Sequence, residues 1–314
     1  MPSYSEIADL PELDEIRRAI YQICYDVEQK IAGQQDRELL HWWAEKNAFR
    51  HGLVLRSILR CHAAGNSKDT FKVLNLSGMG IGHQDFSICQ FLKDRLPLHY
   101  SAVEHPNTPF RNMDFFVSKV EELQVQIIFR DLKQLSAADI RAQIGGDPDI
   151  ILFTEIAEHL EHGTFLRSLQ LIAELLPSHG RLLLSTPNAD ALAYRLEHLL
   201  GRDRSHWGDG TENMEKGLFG HIVYYNIPRL GRLLRDVGLE IGQGITVNFP
   251  LVDPKLSSMK SRFERFKLGL SNGLIGVGEK CWRVPALKDA MNTLGELLYL
   301  EIRKGSTQRI PFAL

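Results

Sequence analysis

The sequence predicts an α/β chain, doubly wound about a mostly parallel, seven-stranded sheet. Three observations carry this. From residue 71 onward, short apolar runs alternate with helical stretches, the pattern of strands joined by crossover helices. Five such runs come in succession, and two further strand runs follow them, "LEIGQGITVNF" and "LLYLEIRKG". The alternation of such runs with helices argues for a parallel sheet covered on both faces.

The elements follow in order. Residues 12–64 read as helical. Ile16, Ile20, Ile23, Val27 and Ile31 recur at three/four spacing and form one apolar stripe, with Gly33 as a stop. "DRELLHWWAEKNAFRHGLVLRSILR" is a second helical stretch. The first strand is "FKVLNLS", followed by a helix near 84–95. "LHYSAVE" precedes a helix near 112–122, "VQIIFRD" one near 136–144 and "DIILFTE" one near 164–176, and "RLLLSTP" is the fifth strand. "NIPRLGRLLRDVG" is a helix ending at Gly238. Residues 1–66 thus form an N-terminal helical cap. Residues 67–253 with 286–314 form the α/β domain, and 254–285 a helical insertion or lid before the last strand. In that insertion Leu256, Met259, Phe263, Phe266 and Leu270 share a helical face, with Lys260, Arg262, Arg265 and Lys267 around the other. This suits a core-packed helix, a lid, or peripheral contact with a membrane surface through 256–270.

Composition narrows the function. With 44% hydrophobic and 24% charged residues, the chain is of ordinary globular type. A formal net charge of -2 lacks the basic footprint of a nucleic-acid binder. Cys24, Cys61, Cys89 and Cys281 form no C-x-x-C pair, so neither a zinc knuckle nor a disulfide framework is indicated. The opening "MPSYSEIADLPELDEIRRA" is acidic and polar, unlike a secretory signal, and no apolar run approaches the 18 or so residues of a membrane span. A cytoplasmic location is expected; the oligomeric state is not legible.

Chemistry concentrates in two places. "KVLNLSGMGIGHQDF" sets Gly78, Gly80 and Gly82 between the first strand and its helix. There glycines let backbone approach a ligand closely, and the helix N-terminus offers free N–H groups. The second strand ends in Glu104, placed to accept both hydroxyls of a ribose. A nucleoside-containing cofactor follows. "TEIAEHLEHG", after the fourth strand, holds Glu155, Glu158 and His159, which share a face if a helix begins near Thr154.

In order and spacing, "VLNLSGMGIG", "VE", "FRD", "DIILFTEIAEHLEH", "LLPSHGRLLLSTPN" and "GHIVYYNIPRLGRLLRDVGLEI" resemble the class I S-adenosylmethionine-dependent methyltransferases, a Rossmann-like family, over roughly residues 70–250. The resemblance is to the subgroup with E-x-x-E-H-L after strand four. It implies S-adenosylmethionine as cofactor. Gly78, Gly80 and Gly82 then lie beneath its methionine part, and Glu104 on the ribose. Asp131 lies at the adenine amino group with Leu132 beside the ring, and Thr154 and Glu155 border the methionine end. Asn75 stands where the family usually has an acid and Ser77 where it has a glycine, and the glycines are displaced by one.

Three roles stay open for Glu155, Glu158 and His159. They form a helix start with solvated acids, Thr154 being its N-cap. Alternatively, His159 is a general base without metal. In the third, with His221 of "FGHIVYY", they bind a divalent cation (Mg, Mn or Zn). Such a cluster resembles the metal site of small-RNA 3′-end 2′-O-methyltransferases and that of ubiquinone-pathway O-methyltransferases. The expected catalytic residues are His159, Glu155 and His221. The expected activity is methyl transfer to an oxygen or nitrogen of a small-molecule biosynthetic intermediate. The alternatives are a metal-dependent RNA 2′-O-methyltransferase and a non-catalytic binding module. Trp42 and Trp43 either wall the pocket or pack between helices, and His83 and His99 are surface or turn residues. "HWGDGTENMEKG", residues 206–217, is a polar, glycine-rich loop over the substrate.

Overall fold

The first five strands pair in parallel with one another, and side chains of successive residues enter opposite cores. The computed structural model describes residues 11–64, 70–80, 82–191, 221–247, 295 and 297–305. The expected insertion at 254–285, the membrane contact at 256–270 and the loop at 206–217 lie outside them. Helices α1 (Pro11–Lys30) and α2 (Arg37–Ala64) come first. Then follow β1 (Phe71–Asn75), α3 (His83–Leu92), β2 (Leu98–Glu104), α4 (Asp114–Glu122), β3 (Gln126–Phe129), α5 (Ala137–Ile144), β4 (Ile150–Thr154), α6 (His162–Leu175) and β5 (Arg181–Pro187). After β5 come α7 (Ile227–Asp236), β6 (Leu239–Val247) and β7 (Leu297–Lys304). The sheet order is β3-β2-β1-β4-β5-β7-β6. β7 runs antiparallel to both β5 and β6. The expected mostly parallel seven-stranded sheet is therefore borne out.

The alternation of period two decides which residue meets which helix. Val73, Ile150, Leu152 and Leu183 point into one core, with Phe86 of α3 and Phe116 of α4. Leu74, Ile151, Phe153, Leu182 and Leu184 point into the other, with α5, α6 and α7. The N-terminal helices join the first core through the predicted stripe: Ile16, Ile20, Ile23, Val27 and Ile31 are all buried. Polar contacts fix α2 onto the sheet as well. Ser57 Oγ donates to Glu301 at 2.5 Å, and Tyr299 Oη donates to the Leu53 carbonyl at 3.3 Å.

From β1 the chain winds outward to β3, then returns to place β4 on the other side of β1. That reversal opens a crevice at the carboxyl ends of β1 and β4, where ligands bind in open α/β sheets. Among the described residues, no helix is long and apolar enough to cross a membrane.

Candidate active site

The crevice is built from the turn after β1 and the exit of β4. Asn75, fully buried, braces the turn: its Oδ1 accepts from Ser77 N at 2.8 Å, and its Nδ2 donates to the Gly78 carbonyl at 3.3 Å and to Asp85 Oδ1 at 2.7 Å. Two of the glycines are required by geometry. Gly78 has φ 81° and lies against the Glu104 carboxylate; Gly82 has φ 87°, and a Cβ there would fall 2.4 Å from Phe86 Cε2. Glu104, at the end of β2, closes the turn from the other side. Its Oε2 accepts from Met79 N at 2.7 Å and Gly80 N at 3.2 Å, and its Oε1 from His105 N at 2.8 Å. Asp131 caps the short 3-10 turn after β3, accepting from Lys133 N at 2.9 Å. Leu132 beside it packs on the second core. Arg130 N bonds the Glu104 carbonyl at 3.0 Å, so both residues belong to the same carboxyl edge as Glu104.

At β4, Thr154 N donates to Ser77 Oγ at 2.6 Å and Thr154 Oγ1 to Gln84 Oε1 at 2.9 Å. The expected helix start at Thr154 is not what forms. Glu155 takes φ 52°, a left-handed conformation costly for a residue with a Cβ. Only a 3-10 turn, Ala157–His159, follows, and α6 begins at His162. The reason is pairing: Glu155 N reaches the Ser185 carbonyl at 2.8 Å, which extends the β4–β5 ladder past the strand end and turns the chain sharply.

That turn separates the two acids. Glu155 accepts from Ser185 Oγ at 2.8 Å and pairs with Arg50 of α2 at 2.7 Å. Glu158 points inward, 1% exposed, accepting from Thr186 Oγ1 at 2.9 Å. Its carboxyl is pushed well above the usual range by burial, and further by the nearby Glu155. His159 meets His221 across the chain, ring centroids 4.8 Å apart, and Tyr224 Oη holds His221 Nδ1 at 2.9 Å. One ligand atom from each of Glu158, His159 and His221 lies within 4.8 Å of the others. Glu155, expected as a fourth ligand, is not in this group; Arg50 and Ser185 engage it instead. Ligands about 2.1 Å from an ion in a tetrahedral set stand about 3.4 Å apart. The three must therefore draw closer together to share one ion. One carboxylate and two imidazoles are a donor set that fits a divalent cation.

The site contains residues not anticipated from the sequence. Arg50 and His51 lie three and four residues after Asn47 on α2, and all three reach the rest of the fold. Arg50 meets Glu155, Asn47 Nδ2 donates to Glu28 at 3.0 Å, and His51 Nδ1 lies 3.3 Å from Ser87 Oγ. Their i, i+3, i+4 spacing on one helix was the available signal. Gln84 and Thr186 carried none. His83, expected at the surface, is largely covered and 2.9 Å from Glu28. His99 bonds Gln126 at 2.9 Å. Trp42 and Trp43 pack edge to face at 4.7 Å, with Lys46 over both rings.

The sequence matches the family model described as "Methyltransferase domain" over residues 86–243, half of the chain. The chain belongs to this methyltransferase family. With its sheet order, that makes it a class I S-adenosylmethionine-dependent methyltransferase by fold and family, with S-adenosylmethionine as the cofactor of its class. Solved structures resembling this methyltransferase include a putative sarcosine dimethylglycine methyltransferase from Galdieria sulphuraria (13% identity, covering 93% of this chain and 99% of that one, TM-score 0.49). Another is an S-adenosylmethionine-dependent methyltransferase from Clostridium acetobutylicum (11%, 91% and 98%, 0.45). A third is mitomycin 7-O-methyltransferase (13%, 96% and 70%, 0.43). No curated protein matches in sequence.

Proposed function

We propose that this methyltransferase moves a methyl group from S-adenosylmethionine to an oxygen or nitrogen of a small-molecule biosynthetic intermediate. One observation carries the reading: a positive-φ glycine turn and the Glu158–His159–His221 group meet at the same carboxyl edge of the sheet. In this reading Gly78, Gly80 and Gly82 hold the methionine part of the donor and Glu104 the ribose. Asp131 and Leu132 hold the adenine, and Thr154 borders the methionine end. The acceptor lies above β4 and β5, under α2. Its lone pair attacks the sulfonium methyl, the S–CH3 bond breaks, and S-adenosylhomocysteine leaves. The sulfonium is already activated, so alignment supplies much of the rate. His159 takes the acceptor's proton. The net charge of -2 favours a small acceptor over RNA.

The geometry of Glu158, His159 and His221 supports a second, metal-assisted version. A divalent cation held there supplies Lewis acidity that lowers the pKa of an acceptor hydroxyl. Calorimetry with S-adenosylmethionine and S-adenosylhomocysteine tests the donor assignment; no binding at millimolar ligand refutes it. EDTA separates the two versions. Turnover that survives chelation rejects the metal, and His159→Ala then lowers the rate by about 10²–10⁴.

A further inference from the structure

Asp85 has no part in the chemistry above, yet it lies beneath the glycine turn, in the first turn of α3, and is 1% exposed. Its Oδ1 accepts from Asn75 Nδ2 at 2.7 Å and from Tyr100 Oη at 2.8 Å. Its Oδ2 has no hydrogen-bond partner among the described residues. A buried carboxylate held in this way is unfavourable, because two neutral donors do not balance its charge. The other charge acting on it is Glu104, a second carboxylate, on the far side of the same turn. The N-terminus of α3 offsets part of this repulsion. Burial nevertheless pushes the Asp85 carboxyl up to about 6, against the pull of the Asn75 and Tyr100 bonds.

The arrangement also orients the turn. A carboxylate oxygen only accepts, so the Asn75 amide must face Asp85 with its NH₂ and Ser77 N–H with its oxygen. The same NH₂ reaches the Gly78 carbonyl. Asp85 thus sets Asn75, and Asn75 sets Ser77 and Gly78. Two buried carboxylates flank one loop, and the donor assigned to that loop is a cation at its sulfonium and at its ammonium group.

We propose that Asp85 is a positioning residue for the cofactor: acting through Asn75, its charge holds the cationic methionine portion of S-adenosylmethionine at the glycine turn. This rests on the donor assignment of the preceding section. It also relocates the acid absent at Asn75, which is one hydrogen bond away on the neighbouring helix.

The test is calorimetry and thermal unfolding of the full chain with three proteins: wild type, Asp85→Asn, and the swap Asn75→Asp/Asp85→Asn. An asparagine at 85 can still accept both bonds, and its NH₂ falls where Oδ2 has no partner. Asp85→Asn should therefore keep or raise the unfolding midpoint while S-adenosylmethionine binds about tenfold more weakly. The loss should be smaller for S-adenosylhomocysteine, which lacks the sulfonium charge. The swap keeps one carboxylate and one amide in the two positions, and should bring affinity back to within about threefold of wild type. Unchanged affinity in Asp85→Asn overturns the proposal, as does a swap that binds no more tightly than the single variant. Affinity and stability falling together, without rescue, mark Asp85 as structural only and overturn it equally. If wild type binds neither ligand, the donor assignment fails and this inference with it.

Discussion

Replacing Gly82 by alanine should damage the turn far more than replacing Gly80, although both have positive φ. At Gly80, φ is 52° and no atom lies within 4 Å of an added Cβ. The cost there is the left-handed conformation alone, about 1 kcal/mol. At Gly82, φ is 87° and the added Cβ would lie 2.4 Å from Phe86 Cε2 and 2.8 Å from Cδ2 and Cζ. Phe86 has little room to retreat, being fully buried, with its ring 5.4 Å from that of Phe116. Overpacking of this kind costs about 1–3 kcal/mol, so Gly82→Ala should cost about 3 kcal/mol in all. Urea unfolding followed by circular dichroism measures both variants, and the difference appears in the midpoint at unchanged slope. Because Gly82 N also bonds the Met79 carbonyl at 2.8 Å, S-adenosylhomocysteine affinity should fall in parallel. Equal destabilisation by the two substitutions would refute the packing argument.

Three further outcomes follow from the same geometry. The Asp85 carboxyl is raised from 3.8 to about 6 in the fold. Its burden is absent below the unfolded value and grows to about 3 kcal/mol above pH 6. Asp85→Asn should therefore gain stability over wild type as pH rises from 4 to 7 in urea titrations, and a constant difference would count against the buried charge. A double-mutant cycle on Arg50→Ala and Glu155→Ala should give a coupling of about 1 kcal/mol, as for a partly exposed pair at 2.7 Å, and a value near zero would show that the pair does not hold α2 to β4. Tyr225 is fully buried, its hydroxyl lacks a hydrogen-bond partner among the described residues, and burial pushes that hydroxyl up to about 12. Tyr225→Phe should thus leave thermal stability unchanged or raise it by about 1 kcal/mol.

Local pattern alone determined the elements. The runs "DIILFTE" and "RLLLSTP" became β4 and β5 because a strand buried on both faces carries a near-continuous apolar run, here Ile150–Phe153 and Leu182–Leu184. The stripe from Ile16 to Val27 became the buried face of α1, with Ile31 just past its end, because its spacing follows the helical period. Gly78, Gly80 and Gly82 were legible as a turn because only glycine takes positive φ without a steric penalty. What local pattern could not reach is the fate of side chains whose partners are distant in the chain. Glu155 and Glu158, three apart, would share a face on a helix. Instead the β5 backbone draws the chain into a left-handed turn at Glu155, sending one acid to Arg50 and burying the other against Thr186. The partnership of His159 with His221 was anticipated, but the loss of Glu155 from that group was not, because it depends on a helix more than a hundred residues earlier. Asp85 was invisible for the same reason: an acid in a first helical turn reads as a solvated dipole partner, and only the packing of α3 on β1 and β2 brings it to Asn75 and Tyr100. Periodicity is set by backbone geometry repeated along the chain. The pairing of charges is set by where the folded sheet brings strand ends and helix ends together.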